Sequence, residues 1–202
     1  EKALIMKKKN LPTILGLFGP AGSGKDLVAD WLCEKQGFVK IAFADPMKRF
    51  AMEAFGFTYN ELWGPSEERN KLFKVDDTWW LNTINSFRRA ASEILEYVLH
   101  TGNRVQGYLQ LYDWLYKLRE SNKEEISARI ILQTLGTEWG RSVDELMWVN
   151  YAYATIHNLI TNDLHYTQTG GLKLHSLNNP YKEVNGIVIP DHRFLNEIER
   201  TQ

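Results

Sequence analysis

A glycine-rich stretch between residues 17 and 32, LFGPAGSGKDLVADWL, has the residue types and spacing that bind phosphate. Gly19, Gly24 and Lys25 fit the pattern G-x4-G-K, and the stretch leaves an apolar run and enters a helical pattern. Glycines let backbone N–H groups turn toward phosphate oxygens, and the helix start adds the positive end of its dipole. Lys25 would then reach the β- and γ-phosphates of a nucleotide. The competing interpretation is a glycine-rich turn that holds no ligand.

The residue after this lysine is unusual, because phosphate loops place Ser or Thr there to hold magnesium. Here the position carries Asp26. A carboxylate binds magnesium directly or through water, and its repulsion of phosphate favours the contact through water. An acid in the first turn of a helix also interacts favourably with the helix dipole. The two explanations have equal weight.

A second candidate lies near the end of the chain, in GIVIPDHRF. Four apolar residues predict a buried strand that delivers Asp191 to its carboxyl end, where an acid is suited to orient magnesium. Arg193 is two residues further on and faces the same side in extended geometry. Its guanidinium would neutralise charge on a transferred phosphoryl group. The alternative is a surface ion pair at the end of the strand.

Two basic stretches are candidates for a second anion site. In FADPMKRF, Asp45 and Pro46 are predicted to cap and open a helix that presents Lys48 and Arg49 in its first turns. A solvated basic helix face explains these residues equally well. Arg69, in PSEERNK, is a further candidate, and its alternative is a solvated loop.

The stretch ARIILQTLGTEWGR combines polar and aromatic residues that suit a nucleotide. Arg129 and Gln133 are neighbours on one helical face. Gln133 would contact a base edge, Trp139 would stack on a base and Arg141 would clamp a phosphate with two hydrogen bonds. For Trp139 the alternative is packing in the core or at a hinge.

The elements that must position these residues alternate between strand and helix. We predict strands at 11–18 and 38–44, a helix between them that ends at Gly37, and a helix from Asp45 to about Phe55. The helix between the strands has Leu27, Val28, Trp31 and Leu32 on one face. A final short strand precedes Pro190. This order predicts an α/β fold around a parallel sheet.

The middle of the chain, about residues 57–126, is predicted to be a helical insertion. Its first part is loop-like and aromatic, and helices follow at roughly 86–100 and 105–120. A helix in ISARIILQTLG is predicted to stop at Gly136, and another covers about 143–160. Residues 161–184 are predicted to form a mobile loop or hairpin.

Composition limits the possible partners. The chain has 202 residues and a formal net charge of −1, which argues against a broad surface for duplex nucleic acid or membrane. Cys33 is the only cysteine, which suits a reducing cytoplasm. The five histidines show no metal-ligand spacing. Trp79 and Trp80 suggest a homodimer interface.

Taken together and in order, GPAGSGKD, FADPMK, LQTLGTEWGR, MWV and IPDHRFLNE resemble the bacteriophage deoxynucleoside monophosphate kinase family. The resemblance covers most of the chain except residues 70–125. It implies a P-loop NTPase fold with three α/β/α layers, similar to that of nucleoside monophosphate kinases. It also implies that the protein is located in the host cytoplasm. It also implies transfer of the γ-phosphoryl group of ATP, with Mg²⁺, to a deoxynucleoside 5′-monophosphate.

The resemblance also implies roles for individual residues. The donor phosphates and magnesium would be held by Gly19, Ala21, Gly22, Ser23, Gly24, Lys25, Asp26 and Leu27. The acceptor would be bound by Asp45, Lys48, Arg69, Arg129, Gln133, Trp139 and Arg141. Catalysis would depend on Lys25, Arg141, Asp191 and Arg193, with Asp26 and Asp191 serving the metal.

Two departures from the family pattern stand out. Leu27 replaces a threonine that relatives often have, so a hydroxyl contact to phosphate is lost. Relatives usually continue past the RFxNE helix into a strand that frames the adenine, so we expect the sequence ending at Gln202 to be truncated. The rival functions are another small-molecule kinase, of the dephospho-coenzyme A or phosphomevalonate type, and a nucleotide-dependent switch or ATPase. A structural protein with a relic phosphate loop is a third.

Overall fold

The computed structural model describes residues 13–20, 22–98, 104–161, 164–166, 172–174 and 184–191. The strands are β1 Thr13–Gly16, β2 Phe38–Lys40, β3 Phe73–Lys74, β4 Glu125–Ile126, β5 Leu164–Tyr166, β6 Leu172–Leu174 and β7 Gly186–Ile189. The α-helices are α1 Lys25–Gln36, α2 Asp45–Phe55, α3 Tyr59–Trp63, α4 Ser66–Asn70, α5 Asp77–Val98, α6 Arg104–Ser121, α7 Ala128–Thr134, α8 Arg141–Val143 and α9 Met147–Thr161. A π-helix, Leu135–Gly140, joins α7 to α8. Among the described residues, none of the helices combines the length and apolar character that a membrane-spanning segment needs.

The principal sheet is parallel, as the sequence predicts. Its order is β1-β7-β2, so the last described strand lies between the first two. Ile187 pairs with Ile14 on one side and Val39 on the other. Ile187, Val188 and Ile189 are completely buried, which is why β7 reads as a continuous apolar run. The mixed α/β architecture is therefore confirmed.

The strands β1 and β2 are shorter than predicted. The apolar runs at 11–18 and 38–44 continue beyond the ends of β1 and β2, but each strand is followed by one backbone hydrogen bond to β7. Leu17 N–H donates to Ile189 and Ile41 N–H donates to Val188. After each of these bonds the chain leaves the sheet and enters a loop that carries residues of the candidate site.

Residues 57–82 are not the loop that the sequence suggested. They contain α3, α4 and the start of α5, which begins at Asp77 rather than near residue 86. Asp76 Oδ1 accepts the Trp79 N–H at 2.7 Å, which satisfies one free donor at the start of α5. Trp80 is only 2% exposed and Trp79 is half-buried, so these tryptophans pack inside the protein. The exposure expected of Trp80 is therefore wrong, while the homodimer itself stays a prediction.

The helix expected to stop at Gly136 does not stop there. The chain continues through the π-helix, and Arg141 N–H donates to the Gly136 carbonyl across the wider turn. Gly140 lies where a Cβ atom would be 2.2 Å from Cζ2 of Trp148. Glycine is therefore required here for close packing rather than as a helix stop. The expected helix at 143–160 begins later, at Met147.

Helix α1 has the predicted apolar face, but that face is exposed. Leu27 is 76% exposed and Trp31 is 53% exposed, whereas Ala29 is buried. Gly37 ends the helix in the left-handed conformation, as predicted. In the predicted loop or hairpin at 161–184, β5 and β6 form an antiparallel pair, and the residues between them lie outside the described part of the chain.

Candidate functional site

The glycine-rich loop joins β1 to α1 in the geometry that the sequence predicts. Gly19, Gly22 and Gly24 have φ values of 142°, 78° and 84°, which L side chains rarely adopt. The loop is folded around the Lys25 ammonium. Nζ donates to the carbonyls of Gly19 and Pro20, both at 2.8 Å, and to Ser23 Oγ at 3.3 Å. The charge that phosphate would need is therefore already at the centre of the loop.

The first turn of α1 follows directly. Gly24 occupies the N-cap without a side-chain cap, so the turn lacks the capping oxygen that Ser or Asp would supply. Asp26 is exposed in this turn, and Leu27 points its apolar side chain to solvent. Ala21 lies outside the described residues.

Asp191 lies immediately beyond β7 and links two parts of the chain. Its Oδ1 accepts the Phe43 N–H at 3.0 Å and its Oδ2 accepts the Ala44 N–H at 3.1 Å. Burial raises the pKa of Asp191 to about 6, and the charge of Asp45 adds to the increase, while the two amides and Lys48 oppose it. The surface ion pair considered from sequence is thus replaced by a carboxylate bound to the turn before α2.

Asp45 makes structural contacts in the turn before α2, and its expected contact with substrate is not tested by them. It is 5% exposed, and its Oδ2 accepts the Ala42 N–H at 2.9 Å. Its Oδ1 accepts Nε1–H of Trp63 at 3.1 Å. The N-cap of α2 is Ala44, so Asp45 is the first helical residue and its side chain holds the preceding turn.

Lys48 lies near these acids and near Arg69. Lys48 Nζ is 5.3 Å from the centroid of the Trp63 ring. Burial lowers the pKa of Lys48, and Arg69 lowers it further, whereas the charges of Asp45, Asp191 and Asp26 raise it. These five charged groups therefore form one cluster, which we call the charged cluster. It joins the donor-loop acid to the two cations expected on the acceptor side.

The Arg69 guanidinium is held by its own segment. Its Nη1 donates to the Gly64 carbonyl and its Nη2 donates to Ser66 Oγ at 3.1 Å. Arg69 is half-buried, in α4. The solvated loop considered from sequence is therefore not what the structure shows.

The helix α7 carries the next candidates. Arg129 and Gln133 are both exposed, and α7 packs against α2 and α4, which carry Lys48 and Arg69. Arg141 follows the π-helix and is half-buried.

Trp139 does not match the expectation of base stacking. It is 1% exposed, donates Nε1–H to the Gly107 carbonyl at 3.0 Å, and packs edge-to-face on Trp148. A ring with no exposed face cannot stack on a base, so Trp139 belongs to the core. The expected stacking role is corrected on this ground.

The sequence interpretation missed Trp63. The signal was present in the pattern T-x-x-E at Thr58 and Glu61, which predicts a helix start. In the structure Thr58 Oγ1 accepts the Glu61 N–H at 3.3 Å and Glu61 Oε2 accepts the Thr58 N–H at 2.8 Å. The helix α3 that follows carries Trp63 to the charged cluster.

Some expectations cannot be placed. Arg193 and His192 lie outside the described residues, so the role of Arg193 stays a prediction. Within the described part of the chain, no group of three or more His, Cys, Asp or Glu residues is arranged to hold a metal ion.

The chain is similar in sequence to known proteins. A family model for deoxynucleotide monophosphate kinase matches residues 13–170. A protein of Acanthamoeba polyphaga mimivirus, named as a deoxynucleotide monophosphate kinase, is 34% identical over 67 residues, which make up 33% of this chain and 33% of the relative. The deoxynucleoside-5′-monophosphate kinase of Escherichia phage T5 is 30% identical over 157 residues, covering 69% of this chain and 60% of the relative.

These relatives are longer than the matched regions. The chain spans about a third of the mimivirus protein and three fifths of the phage T5 enzyme. The family model nevertheless covers the glycine-rich loop, the charged residues of α2 and α4, and the π-helix. The chain belongs to the deoxynucleotide monophosphate kinase family.

Proposed function

We propose that the protein transfers the γ-phosphoryl group of ATP to a deoxynucleoside 5′-monophosphate and releases the diphosphate. One observation carries the proposal beyond family membership. Asp26, beside the glycine-rich loop, lies within electrostatic range of Lys48, and Lys48 in turn lies within range of Arg69. Two anion sites that share a cluster suit an enzyme with two phosphorylated substrates, because a simple switch needs only one site. The three-layer arrangement of nucleoside monophosphate kinases is part of the same proposal.

On the donor side, the loop and Lys25 bind the triphosphate. The ammonium now donates to Gly19, Pro20 and Ser23. Phosphate oxygens replace some of these acceptors, and the free N–H groups at the start of α1 add further donors. Leu27 contributes only backbone here, since its side chain has no hydroxyl.

The residues fit magnesium that is delivered with the phosphates. Each oxygen of Asp191 accepts one amide and keeps acceptor capacity for a metal-bound water. Asp26 is exposed nearby on the loop side. Mg²⁺ in such sites usually has one or two carboxylates, with water and phosphate as the other ligands. When bound, it neutralises charge on the phosphate oxygens.

On the acceptor side, Lys48 and Arg69 bind the monophosphate. Arg129 and Gln133 complete this side, because α7 packs beside the helices that carry the two cations. Arg141, at the start of α8, is assigned to the same side. Asp45 supports this site from beneath and does not contact substrate. Arg193 completes the transition-state contacts, as the sequence predicts.

The chemistry needs little beyond this arrangement. The acceptor phosphate is already an anion, so no strong general base is required. Catalysis depends on in-line placement of the two substrates and on positive charge around the transferred group. The positive charge comes from lysine and arginine side chains, and an acid that orients the metal helps to place the substrates.

An ATP-coupled screen of deoxy- and ribonucleoside monophosphates, with dephospho-coenzyme A and phosphomevalonate as rival acceptors, tests the proposal. We expect ADP formation that requires a deoxynucleoside monophosphate and stops when magnesium is omitted. Activity with a rival acceptor alone would reassign the substrate. ATP hydrolysis indifferent to every acceptor would favour a nucleotide-dependent switch.

A further inference from the structure

The helix α3 is a short platform held at both ends. Thr58 and Glu61 form a reciprocal capping box at its start. Gly64 ends it and donates its N–H to the Asn60 carbonyl at 2.9 Å. Leu62 is completely buried, which fixes the helix to the core. The side chain at its last position, Trp63, is therefore held in a defined place.

The Trp63 ring contacts two members of the charged cluster at once. Its Nε1–H donates to Asp45 Oδ1 at 3.1 Å, and Lys48 Nζ lies 5.3 Å from its ring centroid. Asp45 and Lys48 are one turn apart on α2, so a single indole spans both. Tyr59 stacks on the indole with centroids 5.1 Å apart and planes 9° apart, which restrains the ring.

The same segment also fixes the position of the second cation, Arg69. Arg69 donates to the carbonyl of Gly64, the residue directly after Trp63. A lysine side chain has a flexible stem, and fixing it on binding costs conformational entropy. An aromatic face that attracts the ammonium reduces that cost before the substrate arrives.

We propose that Trp63 is a positioning residue that holds Lys48 and Asp45 in the arrangement that receives the acceptor phosphate. The inference rests on the proposed function, and it adds a residue that acts through Lys48 rather than by touching the substrate. It predicts an effect on the acceptor and none on ATP, because Trp63 has no contact with the glycine-rich loop among its observed partners.

The test compares Trp63→Leu and Trp63→Phe with the wild type in steady-state kinetics. Trp63→Leu removes both the ring and the N–H, and we expect KM for the monophosphate to rise about tenfold. Trp63→Phe keeps a ring under Lys48, so a rise of about threefold is expected. KM for ATP should stay within about twofold of wild type, since uniform damage would affect both substrates.

Trp114→Phe is the matched control. Its indole also donates one hydrogen bond, to Thr134 Oγ1 at 3.1 Å, and it is 4% exposed in the core. It lines no part of the charged cluster. If the loss of any indole hydrogen bond were enough, KM for the monophosphate would rise in Trp114→Phe as much as in Trp63→Phe. The proposal predicts instead that KM for the monophosphate is unchanged in Trp114→Phe.

A double-mutant cycle with Lys48→Ala decides whether Trp63 acts through Lys48. In the Lys48→Ala background, Trp63→Leu should raise KM by less than about twofold, because the ammonium that it positions is gone. The same factor in both backgrounds, or an equal rise in KM for ATP, overturns the inference. If Trp63→Leu does not fold, as circular dichroism would show, the cycle is run with Trp63→Phe.

The two proposals fail in different ways. A wild-type protein that phosphorylates no monophosphate overturns the proposed function, and the positioning role with it. An active wild type whose acceptor KM is unchanged in both Trp63 variants overturns the positioning role alone.

Discussion

At the scale of single residues, the charged cluster contains more negative than positive charge. Asp26, Asp45 and Asp191 all act on Lys48, and Arg69 adds the second cation. Such a cluster repels two anionic phosphates unless further positive charge arrives with them. On the proposed function, a magnesium ion that enters with the nucleotide would supply that charge. The acids of the site are then compatible with the binding of both phosphates.

Removal of the loop ammonium is the most direct test at this scale. For Lys25→Ala we expect kcat to fall on the order of 10²-fold or more, because the charge that stabilises the transition state is lost. The measurement is the coupled assay at saturating substrates. Lys35→Ala is the control, since Lys35 is exposed in the last turn of the same helix. Equal rates for both variants would contradict the role of Lys25.

The raised pKa of Asp191 predicts a dependence of stability on pH. The folded value is about 6, above the unfolded value of about 3.9. In the folded state Asp191 therefore keeps its proton to higher pH than in the unfolded state. The stabilisation from this proton is complete below about pH 4 and is lost as pH rises through about 6.

Urea unfolding of the metal-free protein and of Asp191→Asn checks this prediction. The asparagine side chain does not titrate, so the difference in free energy of unfolding, wild type minus variant, should fall as pH rises over this window. If the difference stays flat or rises with pH, burial does not disfavour the ionised carboxylate of Asp191.

Single residues also show what the sequence could predict. Residue type and spacing point to Lys25, whereas Lys48 and Arg69 are candidates by residue type and by the family resemblance; all three lie at the glycine-rich loop or the charged cluster. Trp139 was assigned to a base and is buried, while Trp63 was missed. Both errors have one cause, since local sequence does not show which face of a tryptophan the tertiary packing leaves exposed.

At the scale of elements, segments bounded by glycine or proline are predicted better than the others. The helix ending at Phe55 and the strand before Pro190 agree with α2 and β7. The short helices α3 and α4 were interpreted as loop, because five residues give too little periodicity to recognise. The sequence predicts a helix end at Gly136 because glycine often ends helices, but the chain continues as a π-helix in which Gly140 permits close packing on Trp148.

The π-helix makes a prediction of its own. Gly140→Ala places a Cβ atom 2.2 Å from the Trp148 ring, so we expect a loss of stability of about 1–3 kcal/mol. Thermal and urea unfolding measure it. Glu138→Ala, exposed on the same turn, is the control and should be nearly neutral. An unchanged midpoint for Gly140→Ala would mean that Trp148 moves away without cost.

At the scale of the whole molecule, the strand order explains why distant motifs meet. Because β7 lies between β1 and β2 and all three are parallel, their carboxyl ends lie at one edge. The glycine-rich loop, Asp191 and the start of α2 therefore come together at that edge, as ligand sites of open parallel sheets do. The sequence predicted the parallel sheet but not its order, because strand order depends on long-range packing.

This arrangement predicts that one ligand can occupy both anion sites. A molecule with adenosine and a deoxynucleoside joined by a polyphosphate should raise the unfolding midpoint more than ATP and the monophosphate added separately, since the second binding event becomes intramolecular. Thermal unfolding with magnesium measures this. Lys25→Ala and Lys48→Ala should each reduce the shift, because each removes a cation from a different end of the ligand. A shift equal to that of ATP alone, or one reduced by Lys25→Ala only, would mean that the acceptor site does not face the glycine-rich loop across the charged cluster.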